Sequence, residues 1–325
     1  MAEKSIHTTT LEQYRRRVNK QTKRQFQLPA LVLGAMLVYS FCRYGGALFL
    51  LASKGWGDVS ALGGFFQLLG SVLLSLMMAG AVFCAYHILV WGKSYQLFCD
   101  SFKNHYLLQI FREMPGFSDV QYRTQGGFSY EEIARLGVIP LGVKSCWTSS
   151  DLLTGQLGRV PFCCGHVTAA HPSQGRSSTP QELFSGQVMV FSLFDQQKSS
   201  RGMLQILDKK AASRMAGQLA PHLVETENTL FNQRFSVYAQ DAHNAFYILT
   251  PPVMERILEF SKEVEGEVCL SFSEERLAVA CRQQRNLFDP WVDIPVEEQT
   301  QQLGKGAAAL GKAREILVNL PVSIS

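Results

Sequence analysis

Charged side chains are scarce in this sequence, and they are spread unevenly. Asp, Glu, Lys and Arg make up 18% of the 325 residues, against about a quarter in a typical soluble domain. Apolar residues, at 46%, are too abundant for intrinsic disorder, and the absence of a glycine or proline period excludes a collagen-like chain. The formal net charge of +4 is too small to indicate nucleic-acid binding.

The longest gap in charge predicts membrane insertion. No Asp, Glu, Lys or Arg occurs from Val59 to Gly92, and a helix needs only about 20 apolar residues to cross a bilayer. We therefore predict a transmembrane hairpin over residues 28–92, with spans at about 28–52 and 63–91. The first span contains Arg43, which must snorkel or find a partner. A cleaved signal peptide is the alternative for the first span, but the 27-residue basic region before it and the second span behind it argue against cleavage.

The basic residues predict the orientation of the hairpin. Residues 1–27 form a basic arm with seven Lys or Arg and two Glu, whereas residues 93–325 carry slightly more acidic than basic side chains. By the positive-inside rule the arm and the C-terminal domain lie in the cytoplasm, and only the loop Ser53–Leu62 lies outside. The arm either sets this topology alone or also attracts anionic lipid headgroups. The bilayer is thus one expected partner.

Small and polar residues predict how the two spans pack. Four-residue spacing of such residues lets helix backbones approach closely in lipid. Arg43 lies at the depth of Ser71 and Ser75, so we expect it to point at them, and we expect His87 to anchor at the inner interface. The same hairpin offers a route to homo-oligomers or to a protein partner.

The remaining 93–325 segment reads as one cytoplasmic α+β domain, β-rich with flanking helices. Helices are expected over 93–114, from Ser129 to Leu136, over Val253–Val264 and over Gln299–Leu320, the last weakened by glycines. Strands are expected as a hairpin over Ser149–Phe162, at Phe184–Phe194, Met203–Leu207, Phe235–Tyr238 and Ala245–Thr250, and as a second hairpin over Val268–Phe272 and Arg276–Cys281. The Ser/Gly/Pro-rich stretch His171–Pro180 is expected to be a mobile loop.

Motifs that carry chemistry are mostly missing. The sequence has no Gly-x-Ser-x-Gly elbow, no phosphate loop and no Cys-x-x-Cys pair among its eight cysteines. Cys163, Cys164, His166 and His171 carry the right donor atoms for zinc. Adjacent cysteines on a strand point to opposite faces, however. We therefore assign no catalytic, cofactor or metal-binding residues and expect no cofactor, although metal binding at these four stays open.

Several short motifs together resemble a known family. They include Phe184-x-Gly186 and the run Tyr247-Ile248-Leu249-Thr250-Pro251 with Met254-Glu255-Arg256 behind it. The others are Asp151–Phe162, Phe235–Asp241, Leu270–Phe272, Leu277–Ala280 and Leu287–Pro290. Over roughly residues 20–320 the chain resembles the bacterial domain of unknown function 3137 family, whose members carry two N-terminal spans and a soluble domain. Residues Cys163–His166 depart from the family pattern. The resemblance implies a bacterial inner membrane location and carries over no activity.

Two main functional hypotheses follow from the sequence. A third, transport or channel activity, would need the two spans to oligomerise, and only the polar stripe Gln67, Ser71 and Ser75 supports it. The first is a non-enzymatic module, anchored in the membrane, that binds or scaffolds a partner, since no catalytic constellation is recognisable. The second is a membrane-associated enzyme with an unrecognised pocket in the cytoplasmic domain. A pocket containing His166, Asp241 or His243 beside perturbed carboxylates would favour the enzyme.

Overall fold

A computed structural model describes residues 2–46, 49, 53, 59–173, 180–192, 202–215, 217–264, 266–273 and 275–318. The chain divides into two compact units. Unit 1 comprises Met1–Ser101 with Trp291–Glu297, and unit 2 comprises Phe102–Pro290 with Glu298–Ser325. The fold is α+β, with long apolar helices at the N-terminus followed by an antiparallel sheet with helices.

Unit 1 is built from helices. Helix α1 (Ala2–Tyr44) includes the predicted basic arm from Ala2 onward. Helix α2 (Val59–Tyr86) is followed by a π-helical turn (His87–Trp91) and α3 (Gly92–Ser101). Helix α2 begins inside the predicted loop Ser53–Leu62, of which residues 54–58 lie outside the described part. Two helical stretches, Thr9–Tyr44 and Leu62–Glu113, are long and apolar enough to cross a membrane.

Arg43 does not point where the sequence predicted. Its side chain is exposed, and its guanidinium carbon lies 5.9 Å from the centre of the Tyr44 ring. The hydroxyls of Ser71 and Ser75 instead donate to backbone carbonyls of their own helix, at 2.8 and 2.7 Å. A serine on a helix satisfies its hydroxyl in this local way, so the polar stripe offers Arg43 little attraction. The prediction of an Arg43–serine contact is wrong.

His87 and Trp91 lie at the junction of α1 with the π turn. The Trp91 indole donates to Thr22 Oγ1 at 2.9 Å, and His87 Nδ1 lies 3.2 Å from Gln25 Oε1. The two rings stack with centroids 4.8 Å apart. These contacts join α1 to the π turn through polar side chains, and the sequence analysis did not predict these pairs.

Unit 2 contains one sheet of nine described strands, all paired antiparallel, in the order β1-β2-β3-β4-β9-β8-β5-β7-β6. The strands are β1 (Phe117–Arg123), β2 (Trp147–Leu157), β3 (Val160–His171), β4 (Gln181–Ser192), β5 (Leu204–Asp208), β6 (His222–Val224), β7 (Phe235–Ala239), β8 (Val268–Ser273) and β9 (Arg276–Arg282). The two predicted β-hairpins, β2–β3 and β8–β9, are confirmed. The predicted strand to Phe194 is confirmed up to Ser192, and residues 193–194 lie outside the described part.

The helices predicted in unit 2 are present, and three further short helices were not predicted. A second π-helical turn (Phe102–Leu107) precedes α4 (Leu108–Glu113), and then come α5 (Tyr130–Leu136), α6 (Lys209–Ala212), α7 (Thr229–Arg234), α8 (Ala242–Ile248), α9 (Pro251–Glu263) and α10 (Val296–Val318). Ser129 caps α5, accepting from the Glu132 N–H at 3.1 Å, and Gly137 ends it in the left-handed conformation. The predicted N-cap at Ser129 and the predicted end at Gly137 are both confirmed. His171 belongs to β3, and residues 174–179 of the predicted loop lie outside the described part.

The strand predicted at Ala245–Thr250 is wrong, because Ala245–Ile248 belong to α8 and Leu249 and Thr250 directly follow its end. The Asp241 carboxylate accepts from the backbone N–H of His243 at 2.9 Å and so begins the helix. Ala245 and Leu249, four residues apart, are buried, whereas Phe246 is 55% exposed. Burial thus follows the helical period and not the alternation of a strand.

Both faces of the central strands are covered. Val167, Val188 and Ala280 belong to a core cluster that includes Ile133 of α5 and Ala211 of α6. Residues of the same strands that point to the opposite face are also buried, namely Cys164, Met189 and Val279. A sheet covered on both faces explains the nearly continuous apolar sequence of β4, β8 and β9.

Candidate functional site

A bulge in β2 places a buried carboxylate. The register between β2 and β3 shifts between Ser150, which pairs with His166, and Leu153, which pairs with Cys164. Two residues of β2 thus face one of β3, as in a β-bulge. Asp151, inside the bulge, has φ of 60° and is 3% exposed. Aspartate tolerates this left-handed conformation better than most residues, and the bend turns its carboxylate away from the regular ladder.

Lys103 is the counter-ion of this carboxylate. Its Nζ lies 3.0 Å from Asp151 Oδ1 and 2.9 Å from Oδ2. The same Nζ lies 2.6 Å from Asp289 Oδ1. Lys103 is 8% exposed and sits in the π turn Phe102–Leu107. One lysine therefore connects two carboxylates that are far apart in the sequence. We call this group the Lys103 cluster, with Tyr122, Ser150 and Asn286 as its neutral members.

The neutral members complete the coordination of Asp151. The Tyr122 hydroxyl donates to Oδ1, the Asn286 amide donates to Oδ2, and the Ser150 hydroxyl donates to Oδ2 at 3.2 Å. A carboxylate offers about four lone-pair positions, and these donors with Lys103 occupy them. The acceptor positions of Asp151 are therefore all occupied by groups of the protein itself. Its arrangement is typical of a structural tie, not of a general base.

A turn before α10 supplies the third side of the cluster. Asn286 Oδ1 accepts from the Phe288 N–H at 3.0 Å, and the Asn286 carbonyl accepts from the Asp289 N–H at 3.2 Å. Phe288 is fully buried. The turn thus presents the Asn286 amide and the Asp289 carboxylate to Lys103 and Asp151. The charges amount to one lysine against two aspartates, with Asp289 the more exposed of the two.

His166 lies beside the Lys103 cluster on β3. Its Nε2 is 3.5 Å from Ser185 Oγ, which is 3.3 Å from Thr168 Oγ1. Its Nδ1 is buried and has no hydrogen-bond partner among the described residues. Burial lowers the pKa of His166, and the nearby Asp289 and Asp151 oppose that shift. His166 is therefore held neutral, with one nitrogen near a serine hydroxyl.

The four potential zinc ligands do not converge. Cys164 is buried, with its Sγ accepting from Gln187 Nε2 at 3.2 Å, whereas Cys163 on the opposite face is half-buried. Burial raises the pKa of the Cys164 thiol to about 12, so it stays protonated. His171 is exposed at the end of β3. The described residues contain no group of three His, Cys, Asp or Glu side chains placed to hold a metal.

Asp241 and His243, the other two residues that a catalytic pocket was expected to contain, lie at the start of α8. Asp241 and His243 are both exposed and form the first turn of that helix. Their contact, in which the Asp241 carboxylate accepts a backbone N–H, is a helix cap. They therefore have an evident structural role at this position.

Sequence reasoning missed the Lys103 cluster, although two signals pointed to it. Asp151 and Asp289 each stand in a motif that carries the family resemblance. Lys103 is a charge between the buried residues Phe102 and Leu107 on a helical segment. A buried lysine requires a carboxylate partner, but which carboxylate it meets depends on the fold of distant strands.

Comparison with known proteins supports the resemblance over part of the chain. The family model described as "Protein of unknown function (DUF3137)" matches residues 182–317. The match runs from β4 into α10, so it includes Asn286 and Asp289 but neither Lys103 nor Asp151, which lies in β2. No curated protein and no solved structure matches the chain. The chain is thus similar to this family in its C-terminal part, and its two candidate spans are consistent with a membrane protein.

Proposed function

We propose that this chain is a bacterial inner-membrane protein, with both termini in the cytoplasm, that presents unit 2 as a non-catalytic binding module. The two candidate spans and the basic arm support this location and orientation. The Lys103 cluster supports the non-catalytic part, since Asp151 has no acceptor position left for a substrate. The observation that carries the binding role is an exposed apolar surface at one edge of the sheet.

That surface, called here the edge surface, consists of Leu223, Phe246 and Tyr247. Leu223 lies on β6, which among the described strands pairs only with β7 and so ends the sheet. Helix α8, which carries Phe246 and Tyr247, packs against both β6 and β7. Leu223 is 66% exposed and Phe246 is 55% exposed. Large apolar side chains beside an open strand edge are typical of a site that accepts an added strand.

The charges around the edge surface indicate which charge its partner carries. Glu225 and Glu227 follow β6 directly, Asp241 precedes α8, and all three side chains are exposed. Exposed acidic groups beside an apolar surface favour a partner of opposite charge and disfavour a second copy of the same edge. The occupant we propose is therefore an extended peptide segment of another protein that carries both basic and apolar side chains.

Peptide display tests this role. The purified full-length protein in detergent selects from a random peptide library, once as wild type and once as Leu223→Glu. We expect wild type to enrich basic, apolar peptides and Leu223→Glu to lose them. The matched control is Leu230→Glu on α7, where the leucine is 67% exposed but lies off the edge strand. Equal loss in both variants, or enrichment without basic residues, would contradict the proposal.

One observation favours the enzyme as a second candidate. The neutral His166 lies 3.5 Å from Ser185 Oγ, which is near the distance expected of a base and the hydroxyl that it activates. In this reading Ser185 would act as nucleophile and the Lys103 cluster would fix the neighbouring backbone. A fluorophosphonate probe, which labels activated serines, separates the two candidates. Labelling that disappears in both Ser185→Ala and His166→Gln would support the enzyme, whereas the binding module predicts no labelling at Ser185.

A further inference from the structure

Helix α1 has two faces before it reaches the apolar segment. The buried or half-buried residues of one face follow alternate spacings of four and three residues, as in a helix that packs along another helix. They are Leu11, Arg15, Val18, Thr22 and Gln25. This face packs on the π turn His87–Trp91 and on α3. The helical pairing therefore continues through the region that the sequence defined as a basic arm.

The opposite face of α1 is basic. At about 100° per residue, its members fill an arc of about 120° whose centre lies directly opposite the packed face. These residues, called here the basic face, are Arg16, Arg17, Lys20, Lys23 and Arg24, and all five side chains are exposed. A topology signal depends on the number of basic residues near a span and not on which side of the helix they occupy. Their segregation to one face is therefore an additional property.

The seven basic residues of the arm do not share one role. Arg15 is 8% exposed, pairs with Glu12 and donates to the Val292 carbonyl at 2.8 Å. Arg16 shares the same Glu12 carboxylate. The other members of the basic face, Arg17, Lys20, Lys23 and Arg24, form no ion pair with any residue of the described part. Arg15 thus stabilises unit 1, while most of the basic face keeps its charge available to an anionic partner.

Aromatic side chains mark the level of the membrane surface. Phe83, His87, Trp91 and Tyr95 stack in a row, with successive centroids 6.0, 4.8 and 5.1 Å apart. Tryptophan and tyrosine collect at the headgroup level of membrane proteins. The hydrogen bond from Trp91 to Thr22 places this level beside Thr22 on α1. Lys20, Lys23 and Arg24 lie within about half a helical turn of Thr22 along the helix axis.

We propose that the basic face binds the anionic headgroups of the leaflet into which α1 inserts. Counted from Leu28, Arg24 lies about 6 Å and Lys20 about 12 Å along the axis, while the headgroup layer extends about 5–7 Å beyond the hydrocarbon core. Lys23 and Arg24 therefore reach the phosphates directly. Lys20 lies within roughly a Debye length of them. Arg17 and Arg16, about 16.5 and 18 Å from Leu28 along the axis, lie just beyond that distance. This role is separate from the binding module of unit 2.

Native mass spectrometry of the full-length protein tests the proposal. The protein is released from nanodiscs of phosphatidylcholine containing a minority of phosphatidylglycerol, and the retained lipids are counted. Wild type should retain phosphatidylglycerol in preference to phosphatidylcholine, and the preference should fall as salt is raised. The triple variant Lys20→Gln, Lys23→Gln, Arg24→Gln should lower the preference by at least about tenfold. Replacing both lysines by arginine should preserve it.

The matched control removes three exposed basic residues from unit 2, as Arg159→Gln, Lys209→Gln and Lys210→Gln, and should behave as wild type. Cysteine-accessibility labelling verifies that each variant keeps the wild-type orientation; if the triple variant does not, Lys20→Gln alone should lower the preference by a smaller step. No preference in wild type, or an unchanged preference in the correctly oriented triple variant, overturns the proposal. So does double-stranded DNA that displaces phosphatidylglycerol from wild type, because the basic face would then fit a nucleic acid better than a lipid.

Discussion

Lys103 and Asp151, which lie 48 residues apart in the chain, meet in a buried ion pair with Nζ 2.9 Å from Oδ2. The lysine comes from a π-helical turn and the aspartate from a β-bulge. π turns and bulges both depart from regular hydrogen bonding and often serve to aim a side chain. Here two such irregularities aim opposite charges at each other. The pair therefore fixes how the helical segment 102–113 lies on the sheet of unit 2.

Replacing Lys103 by methionine should strongly destabilise unit 2. The substitution keeps most of the volume but leaves Asp151 buried without its counter-ion, which costs about 3–5 kcal/mol of the free energy of unfolding. Urea unfolding of the detergent-solubilised protein, followed by tryptophan fluorescence, measures this loss. The control is Lys144→Met, because Lys144 and Glu131 form an ion pair whose side chains are 71% and 58% exposed. Such an exposed pair contributes little to stability, because water screens it. Similar losses in both variants would show that the Lys103 pair is not a stabilising tie.

Two glycines of α10 should respond oppositely to alanine. A Cβ at Gly304 would meet nothing within 4 Å, so Gly304→Ala should raise the free energy of unfolding by about 1 kcal/mol through helix propensity. A Cβ at Gly306 would lie 2.5 Å from Leu287 Cδ2. Gly306→Ala should therefore either leave the free energy of unfolding unchanged or lower it by about 1–3 kcal/mol. The reason is that Leu287 belongs to the turn that holds Asn286 and Asp289. The same urea experiment measures both. Equal gains at both positions would mean that the turn moves without cost.

The sequence predicted those elements that local rules determine. The cap at Ser129, the glycine stop at Gly137 and both hairpins depend on residues a few positions apart, so a short window contains the cause. The error at Ala245–Thr250 shows the limit of such windows. Its run of apolar residues fits either period, and the decisive feature was the Asp241 cap before it. The glycines of α10 lowered its propensity, but the helix forms because one of its faces is buried.

The candidate site could not be predicted from the sequence, for a different reason. Asp151 occupies a bulge, and nothing in the alternation of β2 shows where an extra residue enters the strand. Lys103, Asp151 and Asp289 meet only because the sheet brings a hairpin, a helical segment and a late turn together. Pairings of this kind are long-range and specific. Residue types predict that a buried lysine needs a partner, and only the fold decides which one it has.

Neighbouring cysteines on β3 should differ in their reaction with N-ethylmaleimide. Cys164 is 1% exposed, and burial raises the pKa of its thiol to about 12, so it presents almost no thiolate. Cys163 is half-buried on the opposite face. Cys164 should therefore react on the order of a hundredfold more slowly than Cys163 in the native protein, and the two should react alike in urea. Peptide mass spectrometry follows each site. Equal native rates would contradict the assignment of the two side chains to opposite faces.

Stability should fall on acidification in a way that depends on His166. Burial holds the pKa of His166 below its ordinary value of 6.5, so on lowering the pH the unfolded chain binds a proton before the folded chain does. The free energy of unfolding contributed by neutral His166 is therefore complete above pH 6.5 and is lost as the pH falls through the lower, folded pKa. Urea unfolding at a series of pH values measures this slope.

The His166→Gln variant should flatten that slope, because glutamine keeps a polar side chain but does not titrate. The comparison is His222→Gln, which removes an exposed histidine from β6 and should leave the slope as in wild type. The carboxylates titrate at lower pH and affect all three proteins alike, so the difference between the variants isolates His166. If His166→Gln kept the wild-type slope, the imidazole would not be held neutral by its surroundings, and the argument for Ser185 as an activated hydroxyl would lose its base.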